Sequence, residues 1–452
     1  MTDLHVPLDR ERGGLAAQIA AELRGSIRDG RLAPGTRLPA SRDLAADLAV
    51  SRGVVVEAYE QLVAEGFLVS RVGKGTHVAA VAAPRQAPPP RQDTVCAPFY
   101  GHRPTSPDLS GFPRERWLAS VRHVLATLPS DALDYGDPGG VPELRQELAG
   151  YLKRVRAADV RPENLIIVGG VAQGLSLSLL VLGVERLAIE DPSSPRQVPL
   201  VRRAGATPVP VPSDDEGLNV KALAASGADT VLLTPAHHYP TGVVLSPGRR
   251  AELIEWGGVV LEDDYDAEFR FDRDPVGCLQ GLAPDRVILS GSVSKSLAPG
   301  LRLGWVAAPE DLAAAVRRAR GELDLGSPVI EQYALAHFLR TGGYDRHLRR
   351  TRREYRRRRD ALVTALNEEL PEIRVRGIEA GLHMYLELPE DWDEAAAAAA
   401  AQALGLAAEP VGPMRFSPGP PAMVVGFARV PVHRAAEAVQ ELKVRMSGQS
   451  LD

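Results

Sequence analysis

Only five of the chain's 53 basic residues are lysines, so chemistry that needs an amine has few addresses. One address is Lys295, in Ser292-Val293-Ser294-Lys295-Ser296-Leu297-Ala298-Pro299-Gly300-Leu301-Arg302. It follows an apolar run and sits among small residues, where its amine can project into a cleft and form a Schiff base with a carbonyl. Arg302 can clamp a phosphate with both arms of its guanidinium. A surface lysine is the plain alternative. A second group is Glu262-Asp263-Asp264-Tyr265-Asp266, after Gly258-Val259-Val260-Leu261. A carboxylate there can hold a pyridine nitrogen protonated, which makes the ring an electron sink. The tyrosine can touch a phenolic ring oxygen. A metal site or a solvated turn would also account for the run of acids. A third group is Val168-Gly169-Gly170-Val171-Ala172, where a strand gives way to a helix, so that backbone N–H groups and the helix dipole can face a phosphate. Gly-Gly turns are common, and alone this one says little. The fourth, Thr234-Pro235-Ala236-His237-His238-Tyr239-Pro240-Thr241-Gly242, can shape a ligand's floor. Adjacent histidines on a strand point to opposite faces, so no metal is expected there.

Several strand-like runs must position these groups: residues 165–170, 230–235, 258–265 and 286–292, alternating with helical patterns. Alternation of this kind predicts a doubly wound, mostly parallel α/β sheet. Ligands bind at the carboxyl ends of such strands, where all four groups lie. From about residue 326 the pattern turns helical. An arginine-rich stretch at 346–366 reads as a solvated helix held by salt bridges, with DNA contact as the rival reading. Strand candidates at 383–388 and 422–427 complete a small α+β domain.

The first 78 residues follow another plan. Leu15, Ile19, Leu23 and Ile27 recur at helical spacing; 41–48 and 52–62 give two more short helices, with Ser51 a plausible cap; 66–78 reads as two strands joined at Val72–Gly75. Helix, turn, helix and a basic-tipped hairpin make a winged helix-turn-helix. Residues 1–80 hold as many acids as bases, so charge leaves a generic three-helix adaptor open. Residues 79–95, AAVAAPRQAPPPRQDTV, read as a semi-extended linker. The expected organisation is 1–78 DNA-binding, 79–95 linker, 96–325 large domain and 326–452 small C-terminal domain.

Composition narrows the rest. The chain is 44% hydrophobic with net charge −5, which excludes wholesale disorder and gives no bulk signal for nucleic acid. The pair of cysteines, Cys96 and Cys278, excludes a disulfide scaffold. There is no apolar leader and no membrane-length apolar run, so a cytoplasmic protein is expected.

Residues 34–78 resemble the DNA-binding domain of GntR-type bacterial regulators. The ordered set Tyr135-Gly136-Asp137-Pro138, Gly169-Gly170, Pro240-Thr241-Gly242, Glu262-Asp263-Asp264-Tyr265 and Ser292-Val293-Ser294-Lys295 resembles fold-type I aminotransferases. Together they resemble MocR-type regulators, the aminotransferase-like branch of the GntR superfamily, over roughly residues 10–440. The resemblance implies that Arg42, Arg52 and Gly53 face DNA and that Gly73 and Lys74 on the wing reach a neighbouring groove. It implies pyridoxal 5'-phosphate held as an internal aldimine on Lys295. Asp263 would face the pyridine nitrogen and Tyr265 the ring oxygen. Arg302, with Gly170, Val171 and Ala172, would hold the phosphate, and Ser292 and Ser294 would flank the lysine. Tyr135 would reach the phosphate of the opposite subunit in a domain-swapped, head-to-tail homodimer. The implied function is transcriptional control of a DNA operator, with an amine or amino-acid effector sensed by transaldimination at Lys295. The aminotransferase-like fold would then serve sensing. The alternatives are pyridoxal phosphate itself as the signal, or an active aminotransferase with a vestigial DNA-binding domain.

The chain also departs from these patterns. Val54 stands where the GntR family often has threonine, Tyr239 where aminotransferases have asparagine, and Gly170 where a phosphate-binding serine is common. Ser193-Ser194 replaces a frequent Gly-Tyr. Val424 occupies the position of the arginine that grips a substrate's α-carboxylate in aminotransferases. Arg429 cannot replace it on strand parity, and Arg196 and Arg114 are poor substitutes.

Overall fold

A computed structural model describes residues 6–71, 75–80, 103–271 and 277–448. The chain divides into two compact units, with the division between residues 99 and 100.

In the N-terminal unit the helical period buries one stripe. Helix α1 (Leu15–Arg28) buries Ile19, Leu23 and Ile27, and Leu15 at its start is only partly covered. Helix α2 (Ser41–Asp47) adds Leu44, and α3 (Arg52–Ala64) adds Val55, Ala58, Tyr59 and Leu62. The α2–α3 turn passes through Ala49 in the left-handed region (φ 50°). Ser51 stands at the N-cap of α3, but its side chain makes no capping hydrogen bond. Strands β1 (Leu68–Arg71) and β2 (Gly75–Val78) pair antiparallel. The linker, but for residues 79 and 80, lies outside the described residues, as do Gly73 and Lys74.

The larger unit is built on an eight-stranded sheet. Its strands are β3 (Leu165–Val168), β4 (Arg186–Asp191), β5 (Thr207–Asp214), β6 (Gly217–Leu218), β7 (Thr230–Leu233), β8 (Val259–Asp264), β9 (Val287–Ser292) and β10 (Gly304–Ala307). Their order is β3-β10-β9-β8-β7-β4-β5-β6. The central run from β9 to β5 is parallel; β10 runs against both its neighbours, and β6 is an antiparallel edge. Strands β3, β7 and β9 are buried at every residue, as a sheet covered on both faces requires.

A second sheet has strands β11 (Arg374–Arg376), β12 (His383–Glu387), β13 (Ala407–Pro410) and β14 (Ala422–Gly426), in the order β11-β12-β14-β13. The long helix Gly343–Glu369 packs with Ala435–Met446 beside it. Arginines on its inner side are occupied: Arg352 donates to the Glu268 carbonyl, Arg358 pairs with Asp108 and Arg359 with Glu379. Arg349 and Arg353 are exposed, with no partner among the described residues. No helix among the described residues is long and apolar enough to cross a membrane.

Candidate functional site

The parallel strands bring the sequence's scattered groups to one edge. Strand β9 ends at Ser292, and Lys295 follows in the turn beyond it. Its neighbour β8 carries Asp263 opposite Ser290. Strand β3, on the far side of β10, leads into Gly169-Gly170 and the helix Val171–Leu182. Lys295, Asp263, Tyr265, Arg302 and the glycine turn therefore share the carboxyl end of the sheet.

Burial pulls the Lys295 ammonium down to about 8; Asp266 and Asp263 resist, while Arg103 and Arg196 add to the pull. Its Nζ donates to Thr105 Oγ1 at 3.1 Å. Burial pushes the Asp263 carboxyl up to about 7, Asp264 adds to the rise and Lys295 opposes it. Asp263 Oδ1 is buried with no hydrogen-bond partner among the described residues. An unpaired buried carboxylate oxygen costs stability unless something else fills the gap. Asp264 serves structure instead: it forms a buried pair with Arg156 at 2.7 Å. Glu262 accepts the backbone N–H groups of Leu279 and Gln280.

Gly170 adopts φ +124°, and a Cβ built there would come within 3.2 Å of Arg302 Nη2. The positive φ favours glycine, and a side chain there would also ask the Arg302 guanidinium to give way by a few tenths of an ångström. No side chain among the described residues caps the following helix, so the N–H groups of Val171 and Ala172 stay available. Ser292 is buried, and its Oγ accepts the Ser294 N–H at 3.3 Å. Tyr135 does not join this group within one chain: it is 82% exposed.

Sequence reasoning missed several neighbours. Tyr265 Oη lies 3.2 Å from His237 Nδ1, which also contacts Asp266 at 3.0 Å. His383, on β12, sits 4.8 Å from His237 between ring centroids, and burial holds its pKa well below the ordinary value. His237, Asp266 and His383 form a buried group of metal-ligating types; the only hint in the sequence was the His237-His238 pair. His238 turns away to Thr241 and the Pro192 carbonyl. Thr105 left no motif at all.

The departures also find physical partners. Val424 lies in an apolar cluster with Tyr239, Tyr385 and Met414. Its register partner is Glu409, which accepts from Tyr239 Oη at 3.1 Å and pairs with Arg196 at 3.0 Å. Ser193 N–H donates to the Met414 carbonyl. Arg429 is spent on the Pro107 carbonyl, and Arg114 is exposed.

On the N-terminal unit Arg42, Arg52 and Gly53 are exposed together at the starts of α2 and α3. Arg52 Nε donates to Ser41 Oγ at 3.4 Å, and the residue stays exposed. Arg37, which sequence reasoning passed over, is also exposed, its Nε 3.2 Å from a Cβ built on Gly75 at the base of the wing.

Residues 15–78 match the family described as bacterial regulatory proteins, gntR family, and residues 106–442 match aminotransferase class I and II. The chain is 34% identical to the pyridoxine biosynthesis transcriptional regulator PdxR of Corynebacterium glutamicum, over 86% of this chain and 88% of that one. It is 29% identical to the probable rhizopine catabolism regulatory protein MocR of Rhizobium meliloti, over 98% and 94%. This chain belongs to the MocR-type GntR transcriptional regulators. The aminotransferase-like part of this MocR-type protein superposes on an archaeal alanine:glyoxylate aminotransferase with TM-score 0.70 and 26% identity, covering 77% of this chain and 90% of that one. The α-aminoadipate aminotransferase LysN of Thermus thermophilus gives 0.68 and 27%, covering 77% and 92%.

Class I and II aminotransferases use pyridoxal phosphate, and the residues of this MocR-type chain suit it. The orphan Asp263 oxygen is an acceptor in need of a donor such as a pyridinium N–H. The side-chain-free Gly170 under Arg302 leaves an anion cradle open at a helix start. Lys295 offers a desolvated amine at the same end of the sheet.

Proposed function

We propose that this MocR-type regulator holds pyridoxal phosphate at Lys295 and passes the state of that amine to operator binding by paired winged helices. The observation that carries the reading is the Lys295 amine, desolvated beside an unsatisfied Asp263 oxygen, on the same chain as a GntR helix-turn-helix. When bound, the cofactor supplies an aldehyde carbon that exchanges one amine for another. Lys295 provides one amine, and an amine or amino-acid effector provides the other. With its pKa near 8, Lys295 has an appreciable unprotonated fraction at neutral pH. Asp263 keeps the ring nitrogen protonated. Tyr265, contacted by His237, faces the ring oxygen. Arg302 and the N–H groups of Val171 and Ala172, above Gly170, hold the phosphate, while Ser292 and Ser294 shape the turn that presents Lys295. Tyr135 completes the phosphate site of a partner subunit in a head-to-tail homodimer, which fits its 82% exposure. Arg42, Arg52, Gly53, Gly73 and Lys74 meet the operator, and the protein works in the cytoplasm.

Supplying pyridoxal phosphate to the purified protein tests this by absorbance. The expected result is a lysine-bound chromophore in the wild type, its loss in Lys295→Ala, and nonspecific DNA binding kept in both. An unchanged spectrum in Lys295→Ala overturns the assignment.

A second reading, in which pyridoxal phosphate itself is the signal, draws support from Val424 and Glu409. An effector's carboxylate would meet an apolar wall and a glutamate that already occupies Arg196. Titrating the cofactor alone against an operator separates the readings: a change in DNA affinity without any amine favours the second.

A further inference from the structure

Lys295 Nζ donates its hydrogen bond to a residue far away in sequence, Thr105. Thr105 sits in a tight turn, Arg103-Pro104-Thr105-Ser106, closed by Ser106 N–H to the Arg103 carbonyl at 2.9 Å, with Pro104 at the position where proline pre-sets the backbone. The anchors of Pro104, Pro107 and Asp108 lie outside the eight-stranded sheet. Pro104 packs so closely on Gly426, the end of β14, that a Cβ there would come within 2.4 Å of the Pro104 carbonyl oxygen. The Pro107 carbonyl accepts from Arg429 Nε at 2.8 Å. Asp108 N–H donates to Tyr355 Oη at 2.8 Å, and the Asp108 carboxylate pairs with Arg358 at 2.9 Å. Residues 103–108 are thus a strap fastened to the second sheet and the long helix, and its tip touches the amine of a lysine carried by the first sheet. In the chain, this strap follows the residues that lead from the winged helix.

We propose that Thr105 reads whether the Lys295 amine is free and passes that state, through the 103–108 strap, to the segment leading to the DNA-binding unit. The proposal rests on the reading that Lys295 carries the cofactor. A free Lys295 amine has hydrogens to donate to Thr105 Oγ1, as it does here. A lysine whose nitrogen is bonded to the cofactor would have fewer to give. The strap is therefore latched when an effector has freed the lysine and unlatched when the lysine is engaged. Two signals can bias the same element in this way, which is what coupling between sites requires.

The test uses the full chain loaded with pyridoxal phosphate, with methoxyamine as the probe that captures the aldehyde and frees Lys295. Absorbance follows the lysine and operator affinity follows the output. In wild type, methoxyamine should shift operator affinity by about fivefold or more, within the usual range of allosteric coupling. Thr105→Val should still gain the lysine-bound chromophore and lose it to methoxyamine, at rates altered by its effect on the amine, yet with Lys295 freed to the same extent it should shift affinity by less than about twofold. Thr105→Ser, which keeps the hydroxyl, should restore the shift. A direct readout is acylation of Lys295 in the cofactor-free protein, followed by peptide mass: it should be faster in Thr105→Val, because losing an acceptor disfavours the ammonium. Intact absorbance with a wild-type shift in Thr105→Val overturns the coupling alone, as does a wild type whose lysine is freed with no change in affinity. A wild type that never acquires the chromophore overturns the cofactor reading, and this inference with it.

Discussion

An amine that titrates near 8 behaves differently from one that titrates near 10.5, and the difference is measurable one residue at a time. In the cofactor-free protein, the pH profile of Lys295 acylation should have its midpoint near 8; a midpoint near 10.5 would contradict the desolvation of this site. The sign for stability follows. The folded state binds fewer protons at Lys295 than the unfolded chain between about 8 and 10.5, so this group alone makes stability rise with pH across that window. Asp263 acts oppositely: its folded pKa near 7 exceeds its ordinary 3.8, so its contribution falls as pH rises between those values. Asp263→Asn should flatten that lower window in urea titrations. It should also weaken cofactor binding by about ten- to a hundredfold, the worth of a hydrogen bond to a charged group. Gly170→Ser asks an L-residue to adopt φ +124° against Arg302. It should cost about 1–3 kcal/mol of stability in thermal unfolding, as backbone strain of this kind does.

At the scale of elements, the winged helix depends on few packed side chains. Leu62 of α3 and Leu23 of α1 are fully buried, and a unit of this size has little stability to spare. Leu62→Ala should cost about 2–5 kcal/mol, the usual cost of a leucine cavity. Operator binding should be lost while the cofactor chromophore survives, because the aminotransferase-like unit has its own core. Loss of both together would contradict the division into two units. The period of apolar residues identified these helices and the strands β3, β7, β8 and β9, since burial on one stripe or on both faces leaves its mark in sequence. The closing stretch of the site was illegible for the opposite reason. Residues 103–108 have no period, and their anchors, Gly426, Arg429, Tyr355 and Arg358, come from more than 200 residues away, as in Asp108 to Tyr355 with a separation of 247.

For the whole molecule, the proposed exchange of Tyr135 between subunits makes a sharp prediction. Tyr135→Ala and Lys295→Ala homodimers should each be defective at limiting cofactor. Mixed and reassembled, they should regain about a quarter of wild-type chromophore, because random pairing in a two-fold dimer gives half heterodimers with one intact site each. No recovery would place Tyr135 outside the site. Operator affinity should fall steeply with salt, and each charge removed at Arg42 or Arg52 should reduce the log–log slope by about one.

Residue types alone determined which chemistry was available: a scarce lysine after a strand, a carboxylate and tyrosine after another, and a glycine turn before a helix, each legible because local backbone geometry demands local residue choices. What occupies the space between them was decided only by tertiary structure. The sequence could not tell that Asp264 would be spent on Arg156 and Asp263 left with an open oxygen, or that Glu409 would claim Arg196. Nor could it tell that Thr105 would meet Lys295. Adjacent acids look alike along the chain; alternation across a strand and the packing of distant segments give them different neighbours, and the neighbours set the role.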